Sequence, residues 1–168
     1  MVVNMKNSKI LIITSWTAVI LCMLVIFCFS AQNADQSSGT SGGFAKFLAK
    51  ILYRDFNTID KPSQDILINK CQFIVRKTAH FTVYATLGIL TYMAVRISKF
   101  KFSYLISSVI CLAYAVSDEI HQYFVPGRSC ELRDVFIDFS GSVLGIILIA
   151  IILIFLRKIR LFVYYLHF

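Results

Sequence analysis

Four long apolar windows constrain this chain more than any other feature of its sequence. They cover about residues 10–30, 79–98, 102–123 and 135–156. A helix of about 20 apolar residues crosses the hydrocarbon layer of a bilayer and satisfies its own backbone hydrogen bonds there. Hydrophobic residues make up 58% of the 168, more than a soluble domain of this size usually contains. The sequence therefore predicts an all-α membrane protein with four transmembrane helices in a single domain, residues 1–168.

The connections between the windows carry their own signals. Segment 33–43 is small and polar, which predicts a loop, and segment 44–54 has the helical spacing of a short amphipathic helix lying in the headgroup region. Pro62 suits the start of a helix that continues into the second window. The dipeptide Pro126-Gly127 predicts a turn before the last window. Ser129 is positioned to cap the helix that follows.

The charge distribution bears on partners and orientation. A formal net charge of +8 would suggest a nucleic-acid partner in a soluble protein, but here basic residues flank the membrane windows. These short basic flanks contain Lys6, Lys9, Arg96, Lys99, Lys101, Arg157, Lys158 and Arg160. Because cytoplasmic flanks are enriched in Lys and Arg, we expect both termini in the cytoplasm. The long connection between the first two spans is then extracytoplasmic, and no nucleic-acid partner is expected.

Side-chain spacing within the spans indicates which helix faces are polar and which are closely packed. The polar sets that share one face are Lys77, His80 and Tyr84 in the second span, Asp118, His121 and Gln122 in the third, and Asp134 and Asp138 in the fourth. Glu119 is turned by about 100° and is predicted at the flank. Gly141 and Gly145 form a GxxxG pair, which predicts a close approach to another helix.

These polar sets converge once the spans are ordered. Consecutive spans alternate in direction, so the ends of the first and third spans and the starts of the second and fourth meet at one membrane face. Charged groups in lipid are costly unless they face protein, a cavity or the interface. We therefore predict one ligand-binding site at the extracytoplasmic face, formed by Gln32, Lys77, His80, Tyr84, Asp118, Glu119, His121, Gln122, Arg128, Asp134 and Asp138.

Four segments together resemble the VanZ-like family of membrane proteins. They are FSAQ at 29–32, RKTAHFTVY at 76–84, SDEIHQYFVPGRS at 117–129 and DVFIDFSGSVLG at 134–145. The resemblance extends over about residues 10–156 and implies a small helical membrane protein. The founding members of that family give low-level resistance to teicoplanin, a glycopeptide antibiotic that acts on the outer face of the cell membrane.

The leading hypothesis is that the site binds a polar, anionic lipid headgroup or a lipid-linked cell-wall precursor. Lys77, His80 and Arg128 would hold the anionic groups, because such cations form charge-assisted hydrogen bonds with phosphate and carboxylate. Together with the resemblance, this predicts a membrane protein of the cell envelope that can contribute to glycopeptide resistance.

Two alternatives stay open from the residues. The first is an intramembrane enzyme that modifies a lipid-linked or peptidoglycan substrate, with Glu119, His121 and His80 as candidate acid and base groups. These helices could instead bind a divalent metal, since His80, His121, Glu119, Asp118 and Asp138 are all competent ligands; otherwise no cofactor is expected. The second alternative is a structural ion-pair network without a ligand, in which Arg128 holds carboxylates.

Overall fold

A computed structural model describes residues 5–166, which form five helices without a strand in that range. The helices are α1 (Met5–Ser30), α2 (Ala34–Leu52), α3 (Lys61–Ile97), α4 (Ser103–Tyr123) and α5 (Leu132–Leu166). The all-α prediction is confirmed. The predicted single domain includes residues 1–4 and 167–168, which lie outside the described residues, and its boundaries stay a prediction.

Four of these helices are long and apolar enough to cross a membrane, as predicted. Their membrane candidates are Ser8–Ser30, Lys61–Ile97, Ser103–Tyr123 and Leu132–Ile159. The predicted start of α3 near Pro62 is confirmed, and α3 continues into the second span without interruption. At about 1.5 Å per residue, α3 is about 55 Å long, which exceeds the roughly 30 Å of bilayer hydrocarbon. The helix is therefore long enough for its first half to extend beyond the hydrocarbon, and this first half packs against α2.

The predicted loop at 33–43 is wrong, because α2 already begins at Ala34. A capping box starts this helix: the Asn33 side chain accepts from the Gln36 backbone N–H (2.8 Å), and the Gln36 side chain accepts from the Asn33 N–H (3.2 Å). The small residues that suggested a loop instead let α2 approach α3, where Gln72 Nε2 donates to the Ser38 carbonyl at 3.2 Å.

The second half of α2 has the amphipathic character that the sequence predicts. Ala45 and Ala49 are fully buried in a small core with Cys71 of α3. Phe44, Phe47 and Ile51 are 58–63% exposed on the opposite side. An exposed row of large apolar side chains suits contact with lipid. The location of α2 in the headgroup region stays a prediction.

The GxxxG prediction is confirmed by the contact between α3 and α5, which run parallel. A Cβ atom at Gly141 would lie 2.4 Å from the Phe81 carbonyl oxygen, and one at Gly145 would lie 2.0 Å from that of Ala85. On α3, a Cβ atom at Gly88 would meet the Ser142 carbonyl oxygen at 2.1 Å. The absence of these side chains thus allows the two backbones to touch.

α1 packs along α3 and α4 and runs antiparallel to α3. Near one end Trp16 Nε1 donates to Ser98 Oγ (3.0 Å), and at the other end Ser30 Oγ donates to Asp118 Oδ2 (2.9 Å). The first contact lies at the end of the bundle that carries the basic flanks, and the second lies at the polar end. Which end faces the cytoplasm stays a prediction.

Replacing Gly145 with alanine tests the α3–α5 contact. The added methyl group would collide with a backbone carbonyl, which cannot move aside as a side chain can. Overpacking of this kind typically costs about 1–3 kcal/mol. We expect Gly145→Ala to lower the unfolding temperature of the protein purified in detergent. The matched control is Gly43→Ala, where a Cβ atom meets nothing within 4 Å. Equal unfolding temperatures for the two variants would contradict this packing.

Candidate functional site

The helix ends that the sequence predicts to meet enclose a polar cavity of about 190 Å³. Its wall includes six of the predicted site residues: Lys77, His80, Gln122, Arg128, Asp134 and Asp138. They come from α3, α4, α5 and the connection between α4 and α5. The structure therefore brings most of the predicted side chains together, and their role in binding a ligand stays a prediction.

Asp118 is the most heavily hydrogen-bonded member of this cluster. Its Oδ2 accepts from Ser30 Oγ of α1 (2.9 Å), from Tyr84 Oη of α3 (3.1 Å) and from Gln122 Nε2 of α4 (3.2 Å). Asp118 itself is only 3% exposed. A buried carboxylate needs such donors to offset the loss of water. Asp118 thus ties three helices together.

Two acidic residues of α5 face two basic residues of α3. Lys77 Nζ donates to Asp134 Oδ2 in an ion pair that is largely shielded from solvent. One helical turn further along, His80 Nδ1 lies 3.5 Å from Asp138 Oδ2, and Asp138 is 2% exposed. The Lys77–Asp134 and His80–Asp138 pairs lie side by side because α3 and α5 run parallel. The two backbones come into contact just after these pairs, at Phe81 and Gly141.

Arg128 is held by neutral groups rather than by the carboxylates that the ion-network hypothesis assigned to it. Its Nε donates to the Gln32 carbonyl (3.0 Å), and its Nη1 donates to Gln122 Oε1 (2.9 Å). Gly127 takes a φ of 75° in the turn that delivers this side chain. Within the described residues, no carboxylate lies within ion-pairing distance of Arg128.

The electrostatic setting of Arg128 combines burial with nearby charges of both signs. Burial lowers the pKa of the Arg128 guanidinium from its ordinary value, and the charge of Arg76 acts in the same direction, whereas the charges of Asp118, Glu119 and Asp134 act in the opposite direction. The group stays protonated, since an arginine pKa starts far above neutrality. Arg128 is thus a partly buried cation near both a second cation and several carboxylates.

Glu119 is buried, although its helical phase predicted a position at the flank. It is 2% exposed, and its Oε1 accepts from the Glu131 backbone N–H at 2.7 Å. The connection between α4 and α5 folds back so that Glu119 satisfies a free amide before Leu132, where α5 begins. The prediction that Ser129 caps α5 is therefore wrong: its Oγ donates to Glu131 Oε1 instead.

His121 lies apart from the cavity wall, against α1. Its ring stacks on Phe27 with centroids 4.3 Å apart and an interplanar angle of 26°. Of the five candidate metal ligands, Glu119 and His121 belong to no metal-competent group among the described residues, whereas His80, Asp118 and Asp138 lie close together. The rotation of α4 directs His121 and Glu119 to different neighbours.

Several buried polar atoms at this end of the bundle have no hydrogen-bond partner. They are Asp118 Oδ1, Glu119 Oε2, His121 Nε2 and Asp134 Oδ1. A purely structural network in a low-dielectric site would be expected to satisfy all of its members. This end of the bundle therefore retains unused hydrogen-bonding capacity on several helices.

An apolar groove of about 280 Å³ adjoins the polar cavity, between α1, α2 and α3. Its apolar wall includes Ile26, Phe29 and Val83, and the predicted site residue Gln32 lies at its rim. Three residues line both spaces: Arg76, His80 and Arg128. The polar and apolar spaces thus meet at basic side chains.

Three residues of this site were missing from the predicted set. Ser30 donates to Asp118, Arg76 lines both spaces, and the Glu131 N–H binds Glu119. Arg76 is adjacent to Lys77 but lies about 100° away from the polar stripe. The FSAQ segment offered a signal for Ser30. Local spacing offered none for Glu131, because its role depends on the path of the connection.

Removing the Tyr84 hydroxyl tests the role of Asp118 as a link between helices. Tyr84→Phe leaves a buried carboxylate with one donor fewer, and loss of a hydrogen bond to a charged group costs about 1.5–3 kcal/mol. We expect a lower unfolding temperature in detergent. Tyr123→Phe is the matched control, because Tyr123 is 65% exposed. If both variants unfold at the same temperature, the Tyr84–Asp118 bond does not stabilise the bundle.

Comparison with known proteins identifies the family. The sequence model of the VanZ/LLP1 family matches residues 15–155, which includes all four membrane candidates in whole or in large part. Neither the curated proteins nor the solved structures contain a significant match to this chain. The family match covers the same segments that create the polar cavity and the α3–α5 contact. The chain is therefore a multi-pass membrane protein that belongs to the VanZ/LLP1 family.

Proposed function

We propose that this protein binds a lipid-linked anionic ligand, with the headgroup in the polar cavity and part of the lipid chain in the apolar groove. The observation that supports this most directly is that the two spaces are adjacent and share Arg76, His80 and Arg128 as lining residues. A lipid has the same arrangement: a charged group at the interface joined to an apolar chain. A soluble anion would need the cavity alone.

The basic side chains at the junction suit a phosphate or carboxylate headgroup. Arg128 already has a fixed orientation, since two of its nitrogens donate to Gln32 and Gln122. A guanidinium held in this way loses little further side-chain entropy when it binds an oxyanion. Lys77 is shared with Asp134, so a phosphate would compete with that carboxylate for the ammonium group.

We further propose that the site faces the outside of the cell and that ligand binding there lowers sensitivity to teicoplanin. The basic flanks at the other end of the bundle support this orientation. The resistance that the family resemblance implies concerns an antibiotic acting at the same face. A cell-wall precursor held at the outer leaflet would be chemically matched to both spaces.

Lipid binding is tested with the purified protein in nanodiscs and native mass spectrometry, comparing phosphatidylglycerol with phosphatidylcholine. We expect preferential retention of the anionic lipid by the unaltered protein, and at least a tenfold loss in Arg128→Gln and in Lys77→Gln. A buried charge-assisted hydrogen bond is worth about 1.5–3 kcal/mol, which corresponds to a loss of that order. Lys46→Gln on the exposed face of α2 removes the same charge away from both spaces. Equal retention by all three variants would overturn the proposal.

The same experiment separates binding from the other hypotheses. Ala79→Trp narrows the apolar groove and should weaken lipid retention while leaving binding of glycerol 1-phosphate unchanged. A lipid released with altered mass by the unaltered protein but not by Glu119→Gln would favour the enzyme instead. In cells with matched protein levels, Arg128→Gln and Lys77→Gln should raise teicoplanin sensitivity, whereas Lys46→Gln should not.

The natural cysteine Cys130 allows a direct test of orientation, because it is exposed in the connection between α4 and α5. In a variant that keeps Cys130 as its single cysteine, a membrane-impermeant maleimide should label intact cells. A cysteine-free protein carrying Lys99→Cys, in the connection at the opposite end of the bundle, should react after the cells are opened. The reverse pattern would place the polar site in the cytoplasm.

A further inference from the structure

We propose that His80, Asp118 and Asp138 form a binding site for a divalent transition-metal ion at the base of the polar cavity. One ligand atom from each residue, an imidazole nitrogen or a carboxylate oxygen, lies within 4.8 Å of the other two. The three residues come from α3, α4 and α5. These three residues are a subset of the five competent ligands that the sequence offered, and Glu119 and His121 do not belong to the group.

The state of Asp118 points independently to a missing ligand. The residue is 3% exposed, and its Oδ2 already accepts from three donors. Its Oδ1 is also buried but has no hydrogen-bond partner. An unsatisfied oxygen of a buried carboxylate is costly, and a metal ion within the triad would satisfy it.

The geometry of the triad is close to that of a metal site. Ligand atoms bound to zinc at about 2.0–2.1 Å in a tetrahedral site lie about 3.3 Å from one another. His80 Nδ1 and Asp138 Oδ2 are 3.5 Å apart, and Asp138 is 2% exposed. A modest approach of the Asp118 carboxylate would complete a three-residue ligand set.

The nearby lysine and arginine side chains do not pair with these two carboxylates. Lys77 is paired with Asp134, and the guanidinium of Arg128 donates to Gln32 and Gln122. In the part of the chain that the structure describes, neither base forms an ion pair with Asp118 or Asp138. A divalent ion would neutralise both carboxylates at once.

The donor set favours a particular class of metal. An imidazole nitrogen with two carboxylate oxygens suits Zn²⁺ or Mn²⁺, whereas Mg²⁺ and Ca²⁺ prefer oxygen ligands throughout. Three protein ligands leave at least one coordination position free. Because His80 and Asp138 line the polar cavity, that position would be open to water or to an oxyanion in the cavity. The site stands on its own residues and does not require the proposed lipid ligand.

Metal binding is tested on the full-length protein in detergent, after chelation and with the exposed thiols of Cys28 and Cys130 blocked by N-ethylmaleimide. The protein is dialysed against Zn²⁺ or Mn²⁺ alone, without lipid, and bound metal is measured by plasma mass spectrometry together with the unfolding temperature. We expect about one ion per chain and a higher unfolding temperature, because a ligand that binds the folded state stabilises it.

Variants assign the ligands. His80→Gln, Asp118→Asn and Asp138→Asn should each weaken metal binding at least tenfold, whereas Asp65→Asn, an exposed position on α3, should bind as the unaltered protein does. His80→Cys supplies another zinc ligand and should restore zinc binding, which a purely structural histidine would not predict.

Three results would overturn the metal site. They are a substoichiometric metal content with an unchanged unfolding temperature, wild-type affinity in His80→Gln, and loss of metal in His121→Gln rather than in His80→Gln. Lipid retention is then measured with and without the metal. This measurement distinguishes a failure of the metal site from a failure of the proposed lipid binding.

Discussion

The contact between the backbones of α3 and α5 sets the geometry on which the polar site depends. Gly141 has no side chain, so α5 lies directly against the Phe81 carbonyl of α3. His80 immediately precedes Phe81, and Asp138 lies one turn before Gly141 on a helix that runs in the same direction. Their 3.5 Å separation is thus a consequence of the glycine contact. With little hydrophobic driving force between helices in lipid, such close packing and interhelical polar contacts are what hold a bundle together.

α4 joins this pair through the small buried residues Ser107, Cys111 and Ala115 and, at the polar end, through buried acidic groups. The donors to Asp118 come from α1, α3 and α4, so its burial requires a single arrangement of these helices. Glu119, one residue later, binds the backbone before α5 and fixes the path of the connection. Because unpaired charges are expensive in a low-dielectric environment, alternative rotations of α4 would leave both carboxylates without donors. The same acids therefore specify the fold and shape the cavity.

Fold and site place different demands on these polar groups. A cluster that served stability alone would gain from satisfying every buried atom, yet Asp118 Oδ1 and Asp134 Oδ1 have no partner. The basic residues shared with the apolar groove lie where a membrane protein meets both headgroups and chains. Binding of a lipid headgroup and binding of a metal ion would each use capacity that the protein itself leaves unoccupied. The two proposals share His80 and otherwise draw on different side chains: Arg76, Arg128 and Lys77 for the headgroup, Asp118 and Asp138 for the metal ion.

The sequence by itself determined the four spans, the closely packed glycine pair and the meeting of polar residues at one end of the bundle. Hydrocarbon excludes unpaired polar groups, and alternating spans leave few ways to gather them, so these features follow from spacing. The tertiary structure alone decided that α2 begins at Ala34, that Glu119 binds the start of α5, and that His121 packs against Phe27. Small polar residues are compatible with a loop or with a packed helix, and helical phase does not show how one helix is rotated against its neighbours. The choice between loop and helix and the rotation of a helix both depend on long-range contacts, which the local sequence does not specify.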